Sequence, residues 1–419
     1  MKRVKYFSCL LTAVTVAAVV TACGNGANNP APGTNTPDNG GTAAMQPISI
    51  FQSKVEIAGE LEALARTYTE ETGNQVEVWG SAGDAYTTQL QARLTANEGP
   101  TIFSIQPGQE AERFKSYFYD MSDQSYASYL APGMGLEIDG KIVGMPTSVE
   151  GYGLVYNTEL VDPSDVTDLA SFTSTLQQLK ADGVNGLSLS EEAYFLIGHL
   201  INTPFALQED PQAFLASLAA GEVTMAETPE FQEFAQFLEV IRAEAVNPLE
   251  VTYDRQMGDF ATGRNAMVHQ GNWSYSMLAD FDEMDIGMMP FPLMGNDKLA
   301  VDLATAFVIN GGASEGEIEA ANAFLEWLFT SETGQNAIVN DFGFIPAVTN
   351  IEVTEMNPLS QAVYDATQSG NTIPWAFTFF PSGIIVNDLA PLAQEFFLSS
   401  SMTGEQFLER LDQVWANAS

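Results

Sequence analysis

The first sixty or so residues of the globular part alternate between strand and helix patterns. Apolar runs at residues 47–51, 76–79 and 101–105 predict three strands. The helix between the first two is predicted by Ile57, Leu61, Leu64, Ala65 and Tyr68, with Gly73 as its C-cap, and Leu90 and Leu94 mark one face of the next helix. Crossover helices of this kind connect parallel strands, so the pattern predicts an α/β fold.

Polar residues follow each of these predicted strands. Ligands of open parallel sheets bind beyond the carboxyl ends of the strands, which makes these residues candidates for a binding site. They are Gln52, Ser53 and Lys54 after the first strand, Ser81 and Asp84 after the second, and Gln106 after the third. Lys54 is one of only seven lysines. A solvated lysine with no ligand role is the alternative.

Later segments predict further strands and helices. Residues 142–145 and 153–156 predict two strands that pair with each other. Four apolar stripes at helical spacing follow, and we interpret them as core faces rather than partner surfaces. The stripes are Phe172, Leu176 and Leu179; Phe231, Phe234, Leu238 and Ile241; Ile318, Ala321, Leu325 and Leu328; and Phe407, Leu411 and Val414.

The amino-terminal residues have the pattern of an export signal. Lys2, Arg3 and Lys5 precede an apolar stretch at residues 9–20, which is short for a membrane span. The leader closes on Val20-Thr21-Ala22-Cys23, which resembles bacterial lipoproteins, so we expect a signal peptide at 1–22 and lipid on Cys23. An ordinary secretory signal with an incidental cysteine is the alternative. Residues 23–45 form the predicted anchor and linker, rich in Gly, Asn, Pro, Thr and Ala.

Composition excludes several functions. The net charge is −39, and the leader holds three basic residues and no acid, so the exported chain is more acidic still. Nucleic-acid binding and adhesion to anionic lipid are therefore not expected. The two cysteines are Cys9 and Cys23, which leaves no disulfide or thiolate metal site in the folded body. About 375 residues after the linker predict two lobes.

The sequence offers few candidates for catalysis. The histidines are His199 and His269, and His199 lies among Leu196, Ile197, Leu200 and Ile201, as expected of a core or helix residue. No nucleophile elbow, P-loop or His-Glu-x-x-His motif is present. A pair of carboxylates could hydrolyse a glycoside, so that alternative stays open. We expect no enzyme, cofactor or metal.

Three groups of short motifs occur in a fixed order. They are 140–146 with 150–157; 260–267, 271–273 and 285–292; and 306–310, 320–328, 330–335 and 343–347. In sequence, order and spacing they resemble the extracellular solute-binding proteins of carbohydrate ABC importers, the maltose-binding-protein-like family 1 type. The resemblance covers residues 47–419.

The resemblance implies a periplasmic-binding-protein-like fold of two α/β lobes with a ligand cleft and three interlobe crossovers, near Glu150, Asp302 and Glu352. One lobe would comprise residues 46–149 and 304–352, the other 150–303 and 353–419. Hinge closure would bury the ligand, and a membrane permease would recognise the closed form. A monomer on the extracytoplasmic face of the membrane is expected.

The resemblance also implies residues that contact the ligand. Trp273 stands where the family places a stacking ring, Glu150 and Glu192 where it has carboxylates, and Tyr194 where it has an aromatic. Trp375 and Phe380 lie in a late segment with further rings, and Tyr152 and Asn272 would contact ligand or support their neighbours. The alternatives are a core position for Trp273, a solvated hinge acid at Glu150, and a helix start at Ser190 that explains Glu192.

Rings together with amides and carboxylates indicate a sugar ligand. Aromatic platforms pack against the C–H faces of sugar rings, while planar polar groups bind the hydroxyls. We expect a mono- or oligosaccharide, with an oligosaccharide favoured. A polyamine or a peptide in the same fold is one alternative. A passive surface adhesin, which would need no hinge, is another.

Overall fold

The computed structural model describes residues 45–80, 83–278 and 284–418. The expected signal peptide, Cys23 and all but the last residue of the linker lie outside this part of the chain, as does Ser81. No helix of the described part is long and apolar enough to cross a membrane. In chain order the strands are β1 Ile48–Phe51, β2 Val76–Val78, β3 Ile102–Ile105, β4 Leu136–Ile138, β5 Lys141–Pro146, β6 Val149–Asn157, β7 Asn185–Ser188, β8 Asn265–Gly271, β9 Ile286–Met289, β10 Leu299–Leu303, β11 Ala306–Ile309 and β12 Thr372–Ile373.

The helices cover the faces of two sheets. They are α1 Ala58–Thr72, α2 Tyr86–Thr95, α3 Gln109–Phe114, α4 Leu169–Ala181, α5 His199–Ala206, α6 Pro211–Ala219, α7 Pro229–Glu244, α8 Tyr253–Ala261, α9 Glu315–Thr330, α10 Glu332–Asn336, α11 Pro358–Ser369, α12 Ala390–Leu398 and α13 Gly404–Ala418. The four predicted stripes fall on α4, α7, α9 and α13 and face the core. Gly73 is the predicted C-cap of α1, with a left-handed φ of 78°.

The first sheet has the strand order β2-β1-β3-β11-β5-β4. Strand β1 is parallel to both β2 and β3, with Ile50 opposite Val78 on one side and Ile102 on the other. This confirms the parallel arrangement predicted for the first three strands. Their carboxyl ends therefore lie at one edge of the sheet, as strands joined by crossover helices require.

The second sheet has the order β12-β10-β6-β8-β7, and β9 also pairs with β6. Its central strand β6 is nine residues long and buried throughout. A large apolar core surrounds this sheet, whereas smaller clusters pack on the faces of the first sheet. The chain thus forms two α/β lobes, each with its own sheet and core, which confirms the predicted fold class.

The predicted pairing of residues 142–145 with 153–156 is wrong. Both segments are strands, but β5 pairs with β4 and β11, while β6 pairs with β8, β9 and β10. The chain passes from one sheet to the other between them, at residues 147–148. It returns at 304–305, where the Thr147 amide donates to the Thr305 carbonyl at 2.8 Å and the Ala304 amide to the Ser148 carbonyl at 3.2 Å. Two hydrogen-bonded segments thus connect the sheets.

Candidate ligand-binding cleft

A cavity of about 630 Å³ lies between the two sheets. This volume is within the range of small-molecule sites, about 300–1,000 Å³. The first lobe contributes mainly polar side chains that follow β1, β2 and β3, and the second contributes most of the rings. Of the predicted site residues, those lining the cavity are Ser53, Lys54, Asp84, Gln106, Glu150, Glu192, Tyr194, Trp273, Trp375 and Phe380.

Lys54 lines the polar side of the cleft. Gln52 holds its backbone, with the Gln52 side chain accepting from the Lys54 amide and donating to the Lys54 carbonyl. The Lys54 ammonium contacts both carboxylate oxygens of Glu150, at 2.7 and 2.8 Å, and Glu56 at 3.4 Å. Burial lowers the pKa of the Lys54 amine, but the charges of Glu150 and Glu56 outweigh it and raise that pKa above its ordinary value. Lys54 is therefore a charged amine that the protein itself has paired.

Glu150 is the second residue of β6 and is 2% exposed. Its Oε1 accepts a hydrogen bond from the Ser148 hydroxyl at 2.7 Å. The burial excludes a solvated hinge acid at this position. Glu56, which the sequence analysis missed, lies in the short helical turn between β1 and α1, and burial raises the pKa of its carboxyl. The sequence signal that could have identified Glu56 is its position, two residues after the predicted site residue Lys54.

Trp273 presents ring surface to the cavity. It is the second residue of the helical turn after β8. A Cβ on Gly271 would clash with the indole, so the ring can lie against the backbone only because residue 271 is glycine. The indole N–H donates to Gln270 Oε1 at 3.0 Å, and Gln270 in turn donates to Gln256 at 2.8 Å. The ammonium of Lys54 lies 5.6 Å from the ring centroid. The polar edge of the indole is therefore satisfied within the protein.

Two side chains after the first-sheet strands bind the opposite lobe. Asp84 accepts a hydrogen bond from the Ala193 amide at 3.0 Å, and Gln106 accepts one from the Tyr194 hydroxyl at 3.3 Å. Burial raises the pKa of the Asp84 carboxyl, and the Ala193 hydrogen bond partly opposes this. Close by, Gly108 approaches the Thr378 carbonyl so tightly that a Cβ would clash. These contacts hold the two lobes together across the cleft.

Three buried polar atoms on residues that line the cleft have no hydrogen-bond partner in the described part of the chain. They are Oε2 of Glu192, the hydroxyl of Tyr253 and Nε1 of Trp375. The other oxygen of Glu192 accepts from the Tyr253 amide at 2.8 Å. Buried polar groups without partners cost free energy and are rare in folded proteins. An acceptor and a donor are thus available for a bound molecule.

Three predicted site residues have structural contacts that limit their access to ligand. Tyr152 and Asn272 are not among the lining residues. The ring of Tyr152 stacks on His199 at 4.2 Å, and Asn272 accepts from the Gly151 amide at 3.0 Å, so both hold the wall from behind. Phe380 reaches the cavity, but its ring packs edge-on against Phe205 and Trp415 in the core.

The cavity also includes lining residues that the sequence analysis did not select. Phe195 and Phe377 extend the aromatic wall, and Glu110 and Arg113 extend the polar one. Phe195 follows the predicted Tyr194 directly, and Phe377 lies two residues beyond Trp375. His199 is a buried helix residue, as expected, and it also lines the cavity. Its apolar neighbours in the sequence predicted only a core position, so its place in the cavity wall was not predicted.

Two sheets that face each other across a cleft, joined by hydrogen-bonded crossing segments, are the architecture expected of a solute receptor. The family model for bacterial extracellular solute-binding proteins matches residues 63–362. The chain belongs to this family. As an extracellular solute-binding protein it works outside the cytoplasm, in a family of binding proteins rather than enzymes. No curated protein sequence matches the chain significantly.

Solved solute-binding proteins share the fold at low sequence identity. The binding protein RafE in complex with raffinose has a TM-score of 0.74 and 19% identity, covering 89% of this chain and 99% of its own. A sugar transporter protein from Bacillus licheniformis in complex with stachyose has a TM-score of 0.73 and 18% identity, covering 89% and 100%. A chitin oligosaccharide binding protein has a TM-score of 0.71 and 19% identity, covering 89% and 99%.

Proposed function

We propose that this solute-binding protein captures an oligosaccharide in the cleft, closes over it and delivers it to the membrane permease of an ABC importer. The observation that carries the proposal is the meeting of aromatic rings and hydrogen-bonding groups in one cavity of about 630 Å³. Trp273, Trp375 and Tyr194 supply the rings, and Glu192 and Ser53 supply polar atoms. The sugars named for the structural relatives, raffinose, stachyose and chitin oligosaccharide, agree with this choice.

The partners of the acidic side chains favour a neutral ligand. Glu56 and Glu150 are paired with Lys54. Glu110 accepts from Thr87 at 2.6 Å and from the Gln106 amide at 2.9 Å, and Asp84 is bound to the Ala193 amide. Protein donors thus already satisfy most of the negative charge in the cleft. Sugar hydroxyls can complete the remaining hydrogen bonds without adding a net charge.

A polyamine is the second candidate, and one observation favours it. The carboxylates that line the cavity outnumber the basic side chains: Glu56, Asp84, Glu110, Glu150, Glu192 and Asp254 against Lys54 and Arg113. A cation bound by this surplus would depend strongly on ionic strength, because salt screens charge pairs. Binding of a neutral sugar would not.

A ligand panel tests the proposal. Thermal-shift assays with raffinose, stachyose, chitin oligosaccharides and spermidine would be followed by calorimetry at low and high salt. At least one oligosaccharide is expected to raise the melting temperature, since a ligand of the native state stabilises it by mass action. Its affinity should not change with salt, and the sugar should be recovered intact after incubation. Salt-sensitive binding of spermidine alone would favour the second candidate, and sugar cleavage would indicate an enzyme.

We further propose that lipid on Cys23 anchors the protein at the outer face of the cytoplasmic membrane. The linker that follows Cys23 would then keep the receptor close to its permease. The full chain expressed in a bacterial host should fractionate with membranes and carry the mass of a lipid, while Cys23→Ser should be soluble and unmodified. Equal fractionation of the two proteins would contradict the anchor.

The lobe boundaries and the monomeric state also belong to the proposal. Lobes of residues 46–149 with 304–352, and of 150–303 with 353–419, agree with the membership of the two sheets and with the crossing segments at 147–148 and 304–305. Solution scattering should report one monomer that becomes more compact with the bound oligosaccharide. A rigid molecule with no such change would favour an adhesin.

A further inference from the structure

His199 lies at the aromatic wall of the cleft. It is the first residue of α5, is 5% exposed, and lines the cavity. Tyr152 stacks on its ring with centroids 4.2 Å apart, and the rings of Trp273 and Phe377 lie 5.6 Å away. A side chain held on several sides in this way has a fixed orientation, so the direction of each ring nitrogen is fixed as well.

A chain of hydrogen bonds determines which nitrogens carry hydrogen. Nδ1 of His269 lies 2.9 Å from the Gly153 carbonyl oxygen, and Nε2 of His269 lies 3.2 Å from Nδ1 of His199. A carbonyl oxygen only accepts, so Nδ1 of His269 must donate. In a neutral ring Nε2 of His269 is then an acceptor, which requires that Nδ1 of His199 carry the hydrogen. Nε2 of His199 is left with a lone pair.

Both rings are neutral at physiological pH. Burial lowers the pKa of His269 to about 4 and takes the pKa of His199 well below its ordinary value. The neighbouring His269 and the ammonium of Lys54 lower the pKa of His199 further. Tyr152 and Tyr194, the other titratable groups packed on the His199 ring, are uncharged in this range, since burial raises the pKa of both phenols. No cationic form of the pair competes with the tautomer described above.

We propose that Nε2 of His199 accepts a hydrogen bond from a hydroxyl of the bound sugar. This inference rests on the proposed function and adds a specificity-determining residue to it. Within the described chain Nε2 of His199 has no hydrogen-bond partner, and Nδ1 is directed away toward His269. The backbone of Gly153 therefore sets, through His269, the polarity of Nε2 in a ring that lines the cleft.

The tautomer has a consequence for specificity. An acceptor at this position favours a ligand group that donates, such as a hydroxyl, and disfavours an ether oxygen or an anionic oxygen. A sugar that lacks the matching hydroxyl, or carries it methylated, would leave a polar atom unpaired. His199 would thus select for a free hydroxyl at one ring position.

Two matched variants separate the two edges of the imidazole. His199→Asn places an amide where Nδ1 lies, so it keeps a donor for His269 but has nothing at the position of Nε2. His199→Gln places an amide near Nε2 and gives up the contact with His269. Titration of raffinose by calorimetry, with stachyose and chitin oligosaccharides as further probes, should give an affinity about tenfold weaker for His199→Asn. The His199→Gln variant should stay within about threefold of the parent.

The outcomes distinguish this inference from the proposed function. Raffinose affinity unchanged in a folded His199→Asn would overturn the role of Nε2 and leave sugar binding intact. Failure of every sugar to bind the parent protein would overturn the proposed function, and the hydroxyl contact with it. Nitrogen-15 spectra of the two histidines give an independent readout, in which Nε2 of His199 should be unprotonated at neutral pH. A hydrogen on that nitrogen would overturn the inference directly.

Discussion

Lys54 and Glu150 form an ion pair that joins the two lobes inside the cleft. Lys54 follows the first strand of one sheet, Glu150 belongs to the central strand of the other, and the ammonium contacts the two carboxylate oxygens at 2.7 and 2.8 Å. The side chains are 12% and 2% exposed. Removing one partner of such a buried pair leaves an uncompensated charge, which is strongly destabilising.

Glu150→Gln should lower the free energy of unfolding by about 3 kcal/mol, measured by urea denaturation. In this variant Lys54 would keep Glu56, at 3.4 Å, as its remaining carboxylate partner. Glu62→Gln is the matched control, because Glu62 and Arg66 form an exposed pair at 4.0 Å. That change should cost less than about 0.5 kcal/mol. Equal effects of the two substitutions would contradict the assignment of a buried interlobe pair.

Gly108→Ala should disfavour the closed form. The added methyl group would meet the Thr378 carbonyl across the cleft, and the φ of Gly108 is +89°. We expect a larger radius of gyration by solution scattering and oligosaccharide affinity weaker by about tenfold, or 1.4 kcal/mol. Gly133→Ala is the matched control, because Gly133 also has a positive φ, +78°, but has open space where the methyl group would be added. The expectation fails if both variants bind and scatter alike.

Trp273→Ala should weaken binding of the oligosaccharide by at least about tenfold, measured by calorimetry. The substitution removes the ring that Gly271 and Gln270 hold at the cleft. Trp327→Ala serves as the control, since Trp327 packs on Tyr68 and donates to Glu71 in the first lobe. It should lower stability and leave affinity unchanged below the melting temperature. Unaltered affinity in Trp273→Ala would remove this ring from the site.

Acid should destabilise the protein through its histidine pair. The pKa of His269 is about 4 in the native state, and a histidine in the unfolded chain has a pKa of about 6.5. Between these values the unfolded state binds a proton that the native state does not, so the free energy of unfolding falls as pH falls. The contribution of His269 reaches about 3 kcal/mol near pH 4.

Comparison with a variant separates the effect of His269 titration on stability from the effect of the carboxyl groups that titrate in the same pH range. Burial raises the pKa of Asp84, Glu110 and Asp302, which gives those groups the opposite dependence on pH. His269→Asn keeps a donor for the Gly153 carbonyl and loses the titration. Its unfolding free energy should therefore fall less steeply than that of the parent between pH 6.5 and 4. Because the chain has two histidines, an NMR titration can also read the pKa directly, and a value near 6.5 would contradict the prediction.

Local sequence patterns predicted individual helices and strands better than they predicted which strands pair with each other. The helical stripes on α4, α7, α9 and α13 and the cap at Gly73 follow from residues close in the chain, which a single helix brings to one face. The pairing of β5 with β6 was predicted wrongly, because adjacency in sequence favours a hairpin and the two residues between the strands hold no signal for a crossing. Which sheet a strand joins depends on partners more than a hundred residues away, such as β11 for β5.

The same division applies to the cleft. The sequence predicted Lys54, Asp84 and Gln106 as site residues because they follow parallel strands, whose carboxyl ends lie at one edge of the sheet. Sequence could not show that Asp84 and Gln106 bind Ala193 and Tyr194 of the other lobe, or that Lys54 is paired with Glu150. Those contacts exist only when two separately built sheets face each other.

By itself the sequence determined the α/β class, the acidic and cysteine-free character of the folded body, and the segments that supply the cleft. These properties depend on composition and on spacing within single elements. Tertiary structure alone decided which charges neutralise one another and which polar atoms remain unpaired. It also decided that His199, set among apolar neighbours in the chain, reaches the cavity with a tautomer set by the Gly153 carbonyl. Electrostatics and hydrogen bonding depend on distances of a few ångströms between elements, and only the packed fold sets those distances.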